Sequence, residues 1–486
     1  MNREIRRITL VVAAMFTALL VAVSTVQFGT AAGLRADSRN ARTIYDSFNK
    51  DRGPILTVGG KVIASSTKVD DDYVYQRSYT NGPLYAPITG YVTVVGPPTG
   101  LELMEQHVLE GTADSLFSIW VRLQELMTGT EPTGGAVELT IDPEVQQAAW
   151  DALGSARGAA VALDAKTGEI LALVSKPAFD PNALAIHDPK AAQATYDALE
   201  KDPARPLYNR AISGNLYAPG STFKLITAAA ALESGDYTPE TVLEAPASLA
   251  LPNSSAKLTN FGDSSCSSSG KMSLAEAMKV SCNTAFGSLG MALGQSRIAQ
   301  QAAAFGFGQD LSIPLHVRPS VFPQDMDQAQ TAMAAIGQFD DRVTPLQMAV
   351  VAGAIANEGR AMQPHLVRSE RDSDLHIVKE ATAKQSGQPI SPETAEALRE
   401  IMFQTAQEGT AKRAQVSGVK VGAKTGTAEK GPGQAPDVWT VGFGEVQGRA
   451  VAVAVVVEDG GTLGESGSGG VVAAPMAAAI LKAVFP

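Results

Sequence analysis

One serine in the chain has the surroundings expected of an activated nucleophile. A lysine three residues after a serine can share its helix face and accept its proton. Six such tetrads occur, but only the one from Ser221 to Lys224 follows Pro219-Gly220 and opens a strongly apolar stretch, 225–232. A helix that is apolar on all sides must be buried, so we predict Ser221 at its N-terminus and a lowered pKa for Lys224. Taken alone, the tetrad still favours an N-cap serine beside a solvated lysine.

Two further motifs, in a fixed order, reverse that interpretation. Ser281-Cys282-Asn283 is one of four Ser-x-Asn sequences, and Lys424-Thr425-Gly426, which is followed by Thr427, is one of two Lys-Thr-Gly sequences. The other, at 166–168, is predicted to be the turn of a β-hairpin. Ser221, Ser281 and Lys424 are separated by 60 and 143 residues. This ordered triplet is the signature of penicillin-recognising serine enzymes.

Other chemistries have less support from the sequence. The chain has no Gly-x-Ser-x-Gly elbow, no His-x-x-x-His spacing among its five histidines, and only two cysteines. We therefore predict no metal site and no cofactor. The formal net charge of −11 argues against a nucleic-acid partner.

An apolar stretch near the N-terminus predicts a membrane anchor. Residues 8–28 contain no charged side chain over 21 positions, which is enough to cross the hydrocarbon core. Three arginines precede it, so residues 1–7 are predicted to form a cytoplasmic tail. A cleaved signal peptide is the alternative. We expect a single-pass protein of the cytoplasmic membrane whose domains lie outside the cytoplasm.

The rest of the chain changes character near residue 135. Residues 30–135 alternate short apolar pieces, such as 53–58 and 90–95, with turn clusters, and are predicted to be a domain of short strands and loops that ends in a linker at 128–135. Residues 136–486 are predicted to be an α/β domain in which strands from both ends enclose a helical block. Its predicted elements are a hairpin over 158–174, helices at 143–153, 222–232, 274–280, 332–358, 392–407 and 471–485, and strands at 137–142, 418–422, 438–446 and 451–457.

At this level the chain resembles the class B penicillin-binding proteins, which are monofunctional peptidoglycan D,D-transpeptidases, and especially their short actinobacterial A type. The resemblance covers essentially the whole chain. It extends beyond the three motifs to the following segments: 139–142 with Gln146, 164–175, 209–211, 217–220 and 437–444. It implies a multi-domain α+β protein, with a membrane helix, a non-catalytic pedestal of mixed strands and loops, and a transpeptidase domain whose antiparallel sheet is flanked by helices.

The resemblance also implies a role for each motif residue. Ser221 would attack the carbonyl of D-Ala-D-Ala and release D-Ala, after Lys224 takes its proton. Ser281, aided by Lys424, would pass a proton to the leaving amine, and Asn283 would hold the substrate amide. The substrate-binding residues would be Thr425, Gly426 and Thr427.

The implied ligands are peptidoglycan stem peptides, as acyl donor and amine acceptor, and β-lactam antibiotics. A glycan polymerase of the RodA/FtsW type is implied as a partner of the N-terminal domain. Two other functions remain open. The acyl-enzyme could be resolved by water, as in a D,D-carboxypeptidase or a β-lactamase, or the protein could be a non-catalytic penicillin sensor or scaffold.

Three further features lie around the motifs. Two cysteines in a domain outside the cytoplasm are more often paired than free, so we expect a Cys266–Cys282 disulfide that fixes the loop presenting Ser281. Trp439 and Phe443 alternate along a strand and are expected in the core rather than in the cleft. Residues 461–470 are glycine-rich and are expected to form a mobile surface loop, which could edge the cleft, although a linker is the favoured interpretation.

Overall fold

The computed structural model describes residues 2–26, 48–111, 133–311 and 313–486. Helix α1 (Asn2–Ser24) is exposed along its length. Among the described residues it is the one straight helix that is long enough and apolar enough to cross a membrane. It covers most of the predicted 8–28 span. Residues 27–28 of that span, and 128–132 of the predicted linker, lie outside the described residues.

The N-terminal domain is built on a mixed six-stranded sheet. Its own part of the chain contributes three strands and three short helices, which are β1 (Ile55–Leu56), β2 (Val62–Lys68), β3 (Tyr75–Tyr79), α2 (Gly82–Thr89), α3 (Gly100–Met104) and α4 (Gln106–Leu109). Residues 90–95, one of the short apolar pieces expected to form strands, form none. Instead, Val92 and Val94 pack into a small core with Phe48 and Tyr73.

The other three strands of this sheet come from beyond residue 135. They are β4 (Ala136–Leu139), β12 (Val367–Arg371) and β13 (Ile377–Glu380), and the strand order is β13-β12-β4-β1-β2-β3. Strand β4 runs parallel to β1 and antiparallel to β12. The sheet therefore crosses the sequence position at which composition divides the chain.

The second sheet forms the core of the larger domain and is antiparallel throughout. Its five strands are ordered β15-β16-β17-β5-β6, with bounds β5 (Gly158–Asp164), β6 (Ile170–Lys176), β15 (Lys420–Ala428), β16 (Asp437–Val446) and β17 (Arg449–Val457). The predicted hairpin is present, and its turn carries the Lys-Thr-Gly sequence at 166–168. Strands from the two ends of the domain thus meet in one sheet, as predicted.

Helices cover both faces of this sheet because successive strand residues point to opposite sides. On one face, Val453 and Val455 of β17 pack with α5 (Pro143–Leu153) and α14 (Ala474–Val484). On the other face, Ala452 and Ala454 pack with α12 (Pro345–Ala356), whose residues are all buried, and α13 (Pro392–Gln407) lies against β15. Trp439 and Phe443 are completely buried, as expected of core residues.

The remaining elements surround the central helix α7 (Lys224–Glu233), which has eight buried residues. They are α6 (Pro189–Lys201), β7 (Val242–Glu244), β8 (Ser248–Ala250), β9 (Lys257–Thr259), β10 (Lys271–Ser273), α8 (Leu274–Lys279), α9 (Asn283–Leu293), α10 (Gln295–Ala304), α11 (Gln328–Ala334), β11 (Ala361–Met362) and β14 (Gln385–Gly387).

The prediction of one continuous helix over 332–358 is wrong. The structure breaks it into α11 and α12, joined by a loop in which Gly337 has a φ of +75°. Thr344 then caps a new helix whose first residue is Pro345, a position at which proline is favoured. This loop passes directly behind Ser221, as described below.

Candidate active site

Ser221 lies in a tight 3₁₀ turn, Gly220–Phe223, that leads into α7. Two close backbone approaches fix this turn. The N–H of Gly220 donates to the carbonyl of Gly337 at 3.0 Å. Gly220 has a φ of +51°, and a Cβ there would lie 2.8 Å from the carbonyl oxygen of Thr427, so only glycine fits. The turn therefore holds Ser221 between the α11–α12 loop and strand β15.

Lys224, at the start of α7, is completely buried and points toward the Ser281 motif. Its Nζ donates to the carbonyl of Ser281 at 2.8 Å and to Asn283 Oδ1 at 2.7 Å, and it lies 3.3 Å from Ser281 Oγ. Burial lowers the pKa of Lys224 well below its usual value, and the positive charge of Lys424 lowers it further. A neutral amine at this position can act as a general base.

Lys424 approaches the same serine from β15. Its Nζ donates to Ser281 Oγ at 2.8 Å and to the carbonyl of Thr425 at 2.7 Å. Burial lowers the pKa of Lys424 from 10.5 to about 7. The hydroxyl of Ser281 thus lies between two buried lysines, an arrangement suited to moving a proton across the cleft. Ser281 itself has a φ of +62°, a strained conformation of the kind found at functional sites.

Asn260 holds the Ser281 motif in place, a role that no sequence motif indicates. Its Oδ1 accepts hydrogen bonds from the backbone N–H of Asn283 at 2.9 Å and of Thr284 at 3.1 Å, and so caps the start of α9. The amide of Asn283 also donates to the carbonyl of Thr259 at 3.0 Å. The β9 segment therefore fixes both the backbone and the side chain of Asn283.

The expected disulfide joins Cys266 to Cys282, the middle residue of the Ser-x-Asn motif. Cys266 belongs to the serine-rich loop that follows Asn260 and lines the cleft together with Ser264 and Ser265. The bridge closes a loop of 16 residues. It ties one wall of the cleft covalently to the residue between Ser281 and Asn283.

Strand β15 forms the opposite wall and is the edge strand of its sheet. The carbonyl of Thr427 accepts from Gln338 Nε2 at 3.0 Å, on the side away from β16. In an antiparallel strand the N–H and C=O of one residue point to the same side. The N–H of Thr427 therefore faces the turn that carries Ser221.

Two more residues of this wall were missed by sequence reasoning. The hydroxyl of Thr425 donates to Thr410 Oγ1 at 2.6 Å, and Gln338 makes the contact with Thr427 described above. Both come from loops without a recognisable motif. Gly426 allows close approach, because a Cβ there would lie 2.9 Å from the carbonyl oxygen of Pro219.

All eight predicted catalytic and substrate-binding residues converge on one cleft. Its volume is about 640 Å³, and its lining includes Ser221, Ser281, Asn283, Thr425, Gly426 and Thr427, with Lys224 and Lys424 buried beneath. Phe261, Val280 and Val471 form an exposed apolar rim around it. Residues 468–470 also line the cleft, so this end of the 461–470 segment borders the site and is not a surface linker.

Comparison with known proteins assigns the class to which this fold and cleft belong. The family model "Penicillin binding protein transpeptidase domain" matches residues 158–482, and "Penicillin binding protein A dimerisation domain" matches 52–137. The chain therefore belongs to the penicillin-binding proteins that carry a transpeptidase domain.

Within the penicillin-binding proteins, the chain is clearly similar to individual proteins of the A type. The chain is 43% identical to the peptidoglycan D,D-transpeptidase PbpA of Mycolicibacterium smegmatis, over all of this chain and 99% of that protein. It is 41% identical to PbpA of Mycobacterium tuberculosis with the same coverage. The structure of M. tuberculosis penicillin-binding protein A as a ceftriaxone acyl-enzyme superposes with a TM-score of 0.86 at 39% identity, covering 91% of this chain and all of that one. The resemblance to the actinobacterial A type is confirmed.

Proposed function

We propose that this protein is a peptidoglycan D,D-transpeptidase that cross-links stem peptides through an acyl-enzyme on Ser221 and is inhibited by β-lactams. One observation carries the proposal: a serine hydroxyl, Ser281 Oγ, lies within 2.8 Å of the Nζ of Lys424 and 3.3 Å of the Nζ of Lys224, beside the turn that presents Ser221. The M. tuberculosis relative, whose structure is known as acyl-enzymes with ceftriaxone and penicillin G, supports the β-lactam part.

Acylation begins with proton removal from Ser221. Lys224, neutral because of its burial, takes the proton as Ser221 Oγ attacks the carbonyl carbon of the penultimate D-Ala. The backbone N–H groups of Ser221 and Thr427 stabilise the oxyanion, at about 3 kcal/mol for each donor. The tetrahedral intermediate then collapses, the peptide bond breaks, and D-Ala leaves as an amine.

The leaving amine needs a proton, which the Ser281 relay supplies. Ser281 gives its proton to the amine and regains one from Lys424 or Lys224, the two donors that its oxygen faces. The hydroxyls of Thr425 and Thr427 bind the terminal carboxylate, and Gly426 lets the turn that carries Ser221 approach β15. Asn283 orients the substrate amide. An acceptor amine then attacks the ester through the reverse sequence and forms the cross-link.

The membrane topology is part of the proposal. We place residues 1–7 in the cytoplasm, 8–28 in the membrane, and both the 30–135 domain and the 136–486 transpeptidase domain outside. The apolar helix α1 and the arginines before it support this orientation. Cysteine labelling with a membrane-impermeant thiol reagent tests it: a cysteine introduced at Asn2 should react only after the cells are lysed.

The N-terminal domain is proposed to dock a glycan polymerase of the RodA/FtsW type, on the resemblance to class B proteins alone. Co-purification from membranes tests this proposal. The full chain should retain such a polymerase, whereas a chain whose residues 48–111 are replaced by an unrelated domain should lose it. Equal retention by both chains would contradict the assignment.

The primary test is the intact mass of the ectodomain after incubation with benzylpenicillin. We expect one stable adduct on the wild type and none on Ser221→Ala. Hydrolysis of penicillin without a lasting adduct would indicate a β-lactamase instead. Neither adduct nor hydrolysis in a folded sample would favour a non-catalytic sensor or scaffold. A D,D-carboxypeptidase would form the adduct but release D-Ala from a stem peptide without joining it to an added amine.

A further inference from the structure

A second cavity, next to the cleft, is surrounded by cationic side chains that the mechanism does not use. Its volume is about 460 Å³, and its charged lining residues are four cations, Arg157, Arg318, Arg342 and Lys430, and three acids, Asp437, Glu458 and Asp459. We call it the cationic cavity. We propose that it binds a carboxylate of the donor stem peptide, on a residue upstream of D-Ala-D-Ala. This inference rests on the proposed function, because it extends the path of the same substrate.

The direction of the donor along β15 leads to this cavity. The proposed contacts place the terminal carboxylate at Thr425 and the scissile carbonyl at Thr427, so the donor runs antiparallel to the strand. Its upstream residues must then continue past Ala428, where β15 ends. The next two residues mark the route, since Glu429 lines the cleft and Lys430 lines the cationic cavity.

The distance from Thr427 to the cationic cavity matches the length of the upstream part of the donor peptide. A β-strand advances about 3.4 Å per residue, so the three positions from Thr427 to Lys430 span at most about 10 Å. An extended peptide covers that length with two or three residues. A carboxylate two residues upstream of the acylated D-Ala can therefore reach the edge of the cavity at Lys430.

Most charges around the cavity are already neutralised by ion pairs. Glu458, which is 5% exposed, accepts from Arg210 at 2.8 Å, from Tyr217 at 2.7 Å and from Arg157 at 2.6 Å. Lys430 pairs with Asp437 at 2.6 Å and with Asp459 at 2.8 Å. These pairs hold the walls in fixed positions. They leave little net charge on the residues that they join.

Arg318 is the exception and is the residue that the proposal depends on. It is exposed, and no acidic partner in the described part of the chain forms an ion pair with it. Arg342, beside it in the cavity, gives its Nη1 to two backbone carbonyls and lies 3.5 Å from Asp340. The cavity thus offers one guanidinium without a counter-ion, in a setting where planar bidentate binding of a carboxylate is favoured.

The cavity continues away from the active site. Arg318 and Asn215 also line an adjoining cavity of about 370 Å³, where Arg205 stacks over the ring of Tyr208. The two cavities therefore adjoin at these two residues, and no residue that lines the second cavity lines the cleft. A donor peptide held at Arg318 would therefore have room for the part of its chain that leads to the glycan strand.

The test compares two synthetic donors. One is N-acetyl-L-Ala-γ-D-Glu-L-Lys-D-Ala-D-Ala, and the other carries an amide in place of the glutamate carboxylate. The assay measures kcat/KM for D-Ala release, with benzylpenicillin acylation measured in parallel. For Arg318→Ala we expect kcat/KM with the carboxylate peptide to fall about tenfold relative to that with the amide peptide, the size expected for one charge-assisted contact. Arg318→Lys should recover part of the loss.

Arg297→Ala is the matched control, because Arg297 is a similarly exposed arginine outside both cavities, and it should change neither value. Equal losses for the two peptides, or no loss, would overturn the proposal. A variant that releases D-Ala normally but transfers the acyl group poorly to an added amine would place the acceptor in the cavity instead. Failure of the wild type to react with benzylpenicillin would reject the proposed function itself, and so differs from all of these outcomes.

Discussion

Replacing Lys424 by methionine should slow acylation while stabilising the folded protein at neutral pH. Lys424 is completely buried, and its pKa is lowered from 10.5 to about 7 by desolvation. That difference corresponds to about 4 to 5 kcal/mol of folding free energy at pH 7. Methionine has a similar shape and no charge, but it leaves Ser281 Oγ and the Thr425 carbonyl without their donor, at about 1 kcal/mol each. The net gain should be about 2 to 3 kcal/mol.

The stability difference between Lys424→Met and the wild type should also depend on pH. Between pH 7 and 10.5 the unfolded chain binds the Lys424 proton and the folded chain does not, so the wild type gains stability as pH rises. The advantage of Lys424→Met should therefore shrink by about 4 kcal/mol between pH 7 and pH 10 and change sign.

Urea denaturation of the ectodomain at the two pH values measures this change. Lys420→Met, at an exposed lysine of the same strand, is the control and should show no such pH-dependent difference. A Lys424→Met variant less stable than the wild type at pH 7, or a difference independent of pH, would refute the reasoning.

Three further predictions concern the walls of the cleft. Asn260→Ala uncaps α9 and leaves the backbone N–H groups of Asn283 and Thr284 unpaired, the first half-buried and the second buried. It should therefore destabilise the protein by about 2 to 4 kcal/mol and slow penicillin acylation at least tenfold. Asn260→Asp, which keeps the acceptor, should restore most of the stability and most of the acylation rate. Reduction of Cys266–Cys282 should lower stability by about 3 kcal/mol, and an unchanged melting temperature with two titratable thiols would contradict this. Phe261→Ala should weaken acylation by benzylpenicillin more than by 6-aminopenicillanic acid, which lacks the aromatic group, and an equal effect on both would argue against a contact between Phe261 and that group.

The sequence was most informative where chemistry or periodicity is local. Ser221, Ser281 and Lys424 each belong to a short motif whose residue types the reaction requires, so their order along the chain predicted the cleft. Helix α5 and helix α13 begin and end where their proline and apolar pattern predicted. The β5–β6 hairpin was predicted because its turn residues and its two apolar runs are adjacent.

Long-range packing could not be predicted in the same way. The residue pattern of strand β4 is that of an ordinary strand. No local feature of the sequence predicts that it pairs with β1 and β12 rather than with the second sheet. Asn260 and Gln338 are single polar residues in loops. Their importance comes from the groups that they meet, 23 residues away for the Asn283 N–H and 89 residues away for the Thr427 carbonyl.

The break in the predicted 332–358 helix explains how Gln338 comes to contact the substrate-binding strand. Alanine-rich sequence on both sides of Gly337 favours helix, yet a continuous helix would leave no carbonyl to receive the Gly220 N–H. The turn at Gly337 provides this acceptor and directs Gln338 toward Thr427. One interruption therefore braces both the nucleophile turn and the strand that binds the substrate.

This bracing explains why so much of the surrounding structure is rigid and apolar. Two buried lysines that share one hydroxyl repel each other when both are charged. If the elements that carry them were flexible, the two side chains would move apart. Lys224 is held by an apolar helix in the core, Lys424 by a strand packed between helices, and Ser281 by the Asn260 cap and a disulfide. Because each element is fixed by packing elsewhere, the repulsion is relieved by loss of a proton rather than by movement. That loss creates the base that the reaction needs.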